Sequence, residues 1–144
     1  MSESVSNLYQ DVILDHSKKP RNFGKLKSTT HYARVNNPLC GDKVTVYLKI
    51  EGKYILDATF EARGCAISLA SASMMSEMIK GKKINEAIAL FRKFHSLITT
   101  EQNVHNDGLG DLKALSGVKN FPTRVECATL SWKAMEKAVE EIGY

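Results

Sequence analysis

The chain has 144 residues, 43% of them hydrophobic and 25% charged, with a formal net charge of +4 at pH 7. That length fits one domain able to bury its own core. The composition is that of a soluble globular protein, and no stretch is apolar enough for a membrane span or a signal-peptide core.

The first helix is predicted over residues 4–18, where Val5, Leu8, Tyr9, Val12 and Ile13 recur at helical spacing until Pro20 forbids continuation. The loop over residues 18–27, "KKPRNFGKLK", holds five basic groups, no acid and one aromatic. It reads as a solvated loop or a partner-docking segment. Nucleic-acid binding is not supported, because residues 1–72 carry 10 basic and 7 acidic side chains and residues 73–144 carry 10 and 9.

A strand is predicted over residues 29–35, and the clearest strand over 43–50, with Val44, Val46, Leu48 and Ile50 on one face. Glu51-Gly52 reads as a hairpin turn into a third strand over 54–62, where Leu56, Ala58 and Phe60 alternate. At Gly64 the period changes to a helix over 66–80, with Gly81 placed as its C-terminal cap and Met74, Met75 and Met78 as core filler. A second helix spans 84–98, with Ile84, Ala87, Ile88, Phe91 and Phe94 on one stripe. Residues 99–110 read as a loop, 111–115 as a short helix, and the last helix runs from Pro122 to about residue 142. The expectation is a single α+β domain: a three-stranded antiparallel sheet with helices packed on one face.

Three cysteines without an export signal point to the reducing cytoplasm, so disulfides are not their expected use. Each lies at the end of an element. Cys40 precedes the clearest strand in "NPLCGD", where Cys40 and Asp42 share one side of an extended chain and Gly41 allows a sharp turn. Cation ligands are one reading of that stretch and an ordinary turn is the other. Cys65 stands at a strand-to-helix junction and Cys127 in the first turns of the last helix, where the helix dipole favours a thiolate. For any one thiol alone, packing as a small hydrophobe is the default reading. Together with Asp42 they supply three sulfurs and one oxygen, enough for a four-coordinate zinc. Separations of 25 and 62 residues between successive cysteines mean that the tertiary fold would have to assemble such a site. Its charge would be negative overall, and Arg124, three residues before Cys127, is the candidate compensating cation. His16, His31, His95 and His105 share no metal-ligand spacing and read as solvated or satisfied.

"NPLCGDKVTVYLKI", "FEARGCAISLASASMM" and "FPTRVECATLSWKA", in that order, resemble the IscU/NifU N-terminal family of iron–sulfur cluster assembly proteins. The resemblance extends through nearly the whole chain. It implies that Cys40-Gly41-Asp42 is the family's C-G-D ligand motif and that Cys65 and Cys127 are its second and third cysteines. Glu126 stands where the scaffold branch has a histidine, "NFPTRVEC" replaces that branch's L-P-P-V-K motif, and extra length falls around residues 95–120. These departures match the SufU-type branch. By resemblance, Cys40, Asp42, Cys65 and Cys127 hold zinc until a pyridoxal-phosphate cysteine desulfurase of the SufS type docks and frees Cys40. Cys40 then takes the persulfide sulfur and carries it toward downstream cluster-assembly proteins. Two alternatives remain open at this level: a scaffold for a [2Fe–2S] cluster or iron on the same cysteines, and a structural zinc module without transfer chemistry.

Overall fold

A computed structural model of the chain describes residues 10–38, 41–100 and 108–140. In chain order the elements are helix α1 (Asp11–Lys18), strands β1 (His31–Asn37), β2 (Asp42–Glu51) and β3 (Tyr54–Arg63), helices α2 (Ala66–Ile79) and α3 (Ile84–Thr99), a 3-10 helix (Gly110–Asn120) and helix α4 (Pro122–Val139). The strands form one antiparallel sheet in the order β1-β2-β3, and α2 and α4 pack on one face of it. The α+β expectation holds. None of the described helices is long and apolar enough to cross a membrane.

Val44, Val46 and Leu48 of β2 are fully buried, as the alternation predicts. β3 departs from its predicted pattern. Ile55, Ala58 and Phe60 are buried, whereas Leu56 is 42% exposed. The cause is a bulge: Lys49 faces Asp57 and Ile50 faces Ile55, which leaves Leu56 unopposed. One extra residue exchanges the two faces of the strand before it.

Helix boundaries follow the punctuation of the sequence, with two differences. Gly81 takes the left-handed conformation expected of a cap, φ +84, yet its N–H donates to the Ile55 carbonyl at 2.7 Å. It therefore ties the end of α2 to β3 rather than closing the helix on itself. The short helix predicted over 111–115 is an eleven-residue 3-10 segment. The predicted first helix before residue 10, most of the predicted loop over 99–110 and the end of the last helix beyond residue 140 lie outside the described residues.

The basic loop does more than face solvent. Gly24 donates to the Phe60 carbonyl at 2.7 Å and Phe60 donates back to Asn22 at 3.1 Å, so the loop covers the open edge of β3. Phe23 sets its ring edge-on to Phe60, with centroids 5.3 Å apart.

In the core, Trp132 of α4 lies against Phe91 and Phe94 of α3, with centroids 5.7 and 5.5 Å away. Its indole N–H donates to Ser71 of α2, whose hydroxyl donates to the Ala128 carbonyl at 2.6 Å. Three helices are thereby fixed around a satisfied polar pair. His16 is satisfied as expected, and it is also buried. Its Nδ1 lies 2.7 Å from the Ser73 hydroxyl and its Nε2 3.1 Å from Asp111, which joins α1 to α2 and the 3-10 helix.

Candidate metal centre

The long β2–β3 hairpin returns the chain to its starting end. Lys43 faces Arg63 in the register, so Asp42 and Gly64 meet at the mouth of the sheet. Gly41 turns the chain into β2 with φ +75, its N–H donating to the Asn37 carbonyl at 2.8 Å. Asp42 shares the parity of Val44 and so points to the helix side, where it is only 3% exposed. Cys65 is the residue capping the N-terminus of α2 and Cys127 lies in the second turn of α4. One donor atom from each of Asp42, Cys65 and Cys127 falls within 4.8 Å of the other two. Sγ of Cys65 stands 3.9 Å from Oδ2 of Asp42. Among the described residues this is the one group of metal-ligating side chains gathered to that distance. Cys40 lies outside the described residues.

A glycine makes the assembly fit. A Cβ built on Gly64 would overlap Oδ1 of Asp42 and come within 2.6 Å of its Cγ. The Asp42 carboxylate occupies the volume that any other residue at position 64 would fill.

The two thiols differ in character. Cys65 is half-buried and its pKa is lowered to about 6. The largest cause is a hydrogen bond from the Cys127 thiol, aided by backbone N–H groups of Ser68 and Ile67 at the start of α2 and opposed by burial and by Asp42. Cys127 is pushed strongly the other way, because it donates to Cys65, is buried, and lies beside the Asp42 carboxylate. The shared hydrogen bond favours the thiolate on Cys65 and the protonated thiol on Cys127.

A pocket of about 460 Å³ opens beside these donors, lined by Asp42, Cys65, Gly64 and three cations: Lys43, Arg63 and Arg124. Arg124 thus reaches the neighbourhood its position in the sequence predicted. Lys43 and Arg63 were not among the predicted site residues, although they flank Asp42 and the Gly64-Cys65 pair directly in the chain.

The description "NifU-like N terminal domain" matches residues 8–128. The chain belongs to the NifU-like N-terminal domain family. It is 46% identical over 136 residues to a protein named zinc-dependent sulfurtransferase SufU from Bacillus subtilis, covering 94% of this chain and 92% of that one. It is 38% identical, over 94% of this chain and 85% of the relative, to a protein named iron–sulfur cluster assembly scaffold protein IscU from Streptococcus pyogenes. A crystal structure from Fervidobacterium islandicum, described as a putative iron–sulfur cluster assembly scaffold protein for the SUF system, superposes with a TM-score of 0.86 at 35% identity, covering 93% of this chain and 98% of that one. A NifU-like N-terminal domain from Brucella abortus superposes at 0.89 with 24% identity, over 97% of each chain, and shares the fold.

Glu126 is exposed on α4, and its Oε2 lies 3.2 Å from Nζ of Lys133 on the same helix. It is absent from the donor group that Asp42, Cys65 and Cys127 form.

Proposed function

We propose that this chain is a sulfur acceptor in iron–sulfur cluster assembly, holding zinc with Cys40, Asp42, Cys65 and Cys127 and taking sulfur onto Cys40 from a cysteine desulfurase. The observation that carries the reading is the convergence of one carboxylate and two thiols within 4.8 Å at the ends of three separate elements. Its support from relatives is the 46% identity to a named zinc-dependent sulfurtransferase.

The donors fit the metal. Two thiolates and a carboxylate suit zinc, with bonds of roughly 2.0–2.3 Å to a common centre. Zinc, when bound, would keep the thiols deprotonated and hold them unreactive toward stray electrophiles. The transfer itself is an exchange at sulfur. The Cys40 thiolate attacks the terminal sulfur of the donor's persulfide, a new S–S bond forms on Cys40, and the donor's cysteine leaves as a thiolate. Electrons and protons balance without an external oxidant. Cys65 and Cys127 belong to helices that the core holds, so Cys40, which has a glycine after it and stands before a strand, is assigned the mobile role. Arg124 lines the pocket beside Asp42 and Cys65. Its charge offsets the anionic donor set and favours an incoming persulfide anion.

The test is direct. After incubation with a cysteine desulfurase and cysteine, the chain is trapped with an alkylating agent and its peptides are weighed. Extra sulfur on the Cys40 peptide, lost in Cys40→Ser, is the expected result; sulfur on Cys127 and none on Cys40 refutes the assignment. A second reading, a [2Fe–2S] scaffold on the same cysteines, draws on the 38% identity to a named scaffold. Glu126, turned to Lys133, weighs against it. Anaerobic purification separates the two: colourless protein with zinc near one per chain fits sulfur transfer, and visible charge-transfer bands with iron and sulfide fit the scaffold.

A further inference from the structure

Among the described residues the helices cover one face of the sheet and leave the other without a helix, and strand alternation decides what that second face carries. At the end nearest the metal centre it presents Arg34 of β1, Lys43 of β2 and Arg63 of β3. Lys43 and Arg63 are directly opposed across the ladder. Like charges in that relation destabilise a sheet. Among the described residues no carboxylate pairs with either of them. The nearest acid on this face, Glu61, already accepts a hydrogen bond from Tyr47 at 2.5 Å. Arg34 directs its Nε to the Thr45 hydroxyl at 3.1 Å, and among the described residues no carboxylate forms an ion pair with its guanidinium.

Two further observations make this a surface rather than a scatter of charges. A groove of about 310 Å³ runs along the face between Phe23, Arg34 and Glu61, and it shares Lys43 and Arg63 with the pocket that reaches Asp42 and Cys65. Beside it, Tyr32 is 68% exposed and stacks on Tyr47 across the β1–β2 ladder, with centroids 6.3 Å apart. Phe23, on the other wall, is 51% exposed. Exposed aromatics among arginines are the composition that anchors protein interfaces.

We propose that this open face, from Tyr32 and Arg34 across to Arg63, is where the sulfur-donating partner docks, and that the segment seated there is acidic. The inference rests on the sulfur-transfer reading for the partner's identity, while the surface and its charge stand on their own geometry. Docking here places the partner's carboxylates on the opposed cations and relieves their repulsion. The same contact is continuous with the pocket where sulfur has to arrive. A nucleic acid is the competing polyanion, and the near balance of charge in the rest of the chain argues against it.

The experiment uses the full zinc-loaded chain and the variant Arg34→Glu, a position that lines the groove but neither the donor pocket nor the opposed Lys43–Arg63 pair. Cysteine desulfurase turnover is measured against chain concentration, and binding to the desulfurase is measured by calorimetry, both at low salt and at about 1 M salt. The half-saturating concentration should rise about tenfold or more at low salt, converge with wild type at high salt, and leave the saturated rate unchanged. Zinc content and melting temperature should match wild type. A folded, zinc-loaded variant with unchanged half-saturation at low salt overturns the proposal, as does a loss confined to the saturated rate. Tight, charge-dependent binding of single-stranded DNA with none to the desulfurase also overturns it. If wild type binds the desulfurase in the predicted salt-dependent way without stimulating it, the sulfur-transfer reading fails and the docking face stands. If it neither binds nor stimulates, both fail.

Discussion

Replacing Gly64 by alanine adds one methyl group directly against the Asp42 carboxylate in the candidate metal centre. Its Cβ would lie 2.6 Å from Cγ and 3.1 Å from Cβ of Asp42. Ordinary carbon contacts begin near 3.4 Å, so the Asp42 side chain has to withdraw by about 0.8 Å. Asp42 is buried at the first residue of β2 and has little room to do so. No left-handed φ is required at Gly64, so the cost comes from this contact alone. Overpacking of this kind destabilises by ~1–3 kcal/mol, offset by ~0.4–1 kcal/mol from the stiffer unfolded chain. The net loss of apo stability should therefore stay below ~2.5 kcal/mol. Zinc affinity should fall further, by ~10–100-fold, the range seen when a group supporting a metal ligand is disturbed. Gly41→Ala is the contrast: it meets nothing within 4 Å but must hold φ +75, so it costs ~1–2 kcal/mol through the backbone. Competition with a chromophoric chelator, read beside thermal melts of the apo forms, separates the two effects. A Gly64→Ala protein that keeps wild-type zinc affinity would refute the claim that Asp42 is a ligand held in a glycine-shaped space.

Removing the metal should lower the melting temperature by of order 10 °C, because saturation at ~1,000 times Kd contributes ~4 kcal/mol; equal melts for apo and loaded forms would count against a multi-ligand site. Asp42→Ala should weaken zinc in the same chelator competition while the far-ultraviolet spectrum stays native, since no core side chain is removed. Tyr47 is pushed up to about 12 by burial first and by its hydrogen bond to Glu61 second, so it should titrate late in ultraviolet absorbance, and Glu61→Gln should bring it back only part of the way. Because the raised value favours the protonated phenol, that stabilisation is complete below the unfolded value of about 10 and is lost as pH rises toward about 12. Unfolding midpoints that are flat across that alkaline window in wild type, beyond what Tyr47→Phe shows, would remove the linkage.

What could be read from the residues and what could not divides along sequence distance. The strand over 43–50 was legible because its apolar residues alternate without interruption, and α2 and α4 because Gly64 and Pro122 mark a change of period and a first turn. Leu56 was misplaced because a bulge is a property of two strands together: the extra residue shows only when Lys49 and Ile50 are set against Asp57 and Ile55. The ligand set was named from thiols at element ends and from family resemblance, and Asp42, Cys65 and Cys127 do meet. The contacts that position them were hidden. Nothing in "RGC" states that the missing side chain of Gly64 leaves room for an aspartate 22 residues earlier, and nothing in "LDHS" states that His16 is buried between Ser73 and Asp111. The cations are the instructive case. Arg124 was singled out by helical spacing, a local rule, whereas Lys43 and Arg63 gain their meaning only through the β2–β3 register that sets them face to face. That register places Asp42 on the covered side of the sheet and Lys43 and Arg63 on the open side. The same one-residue alternation that turns Asp42 toward the two thiols therefore also charges the face proposed for docking.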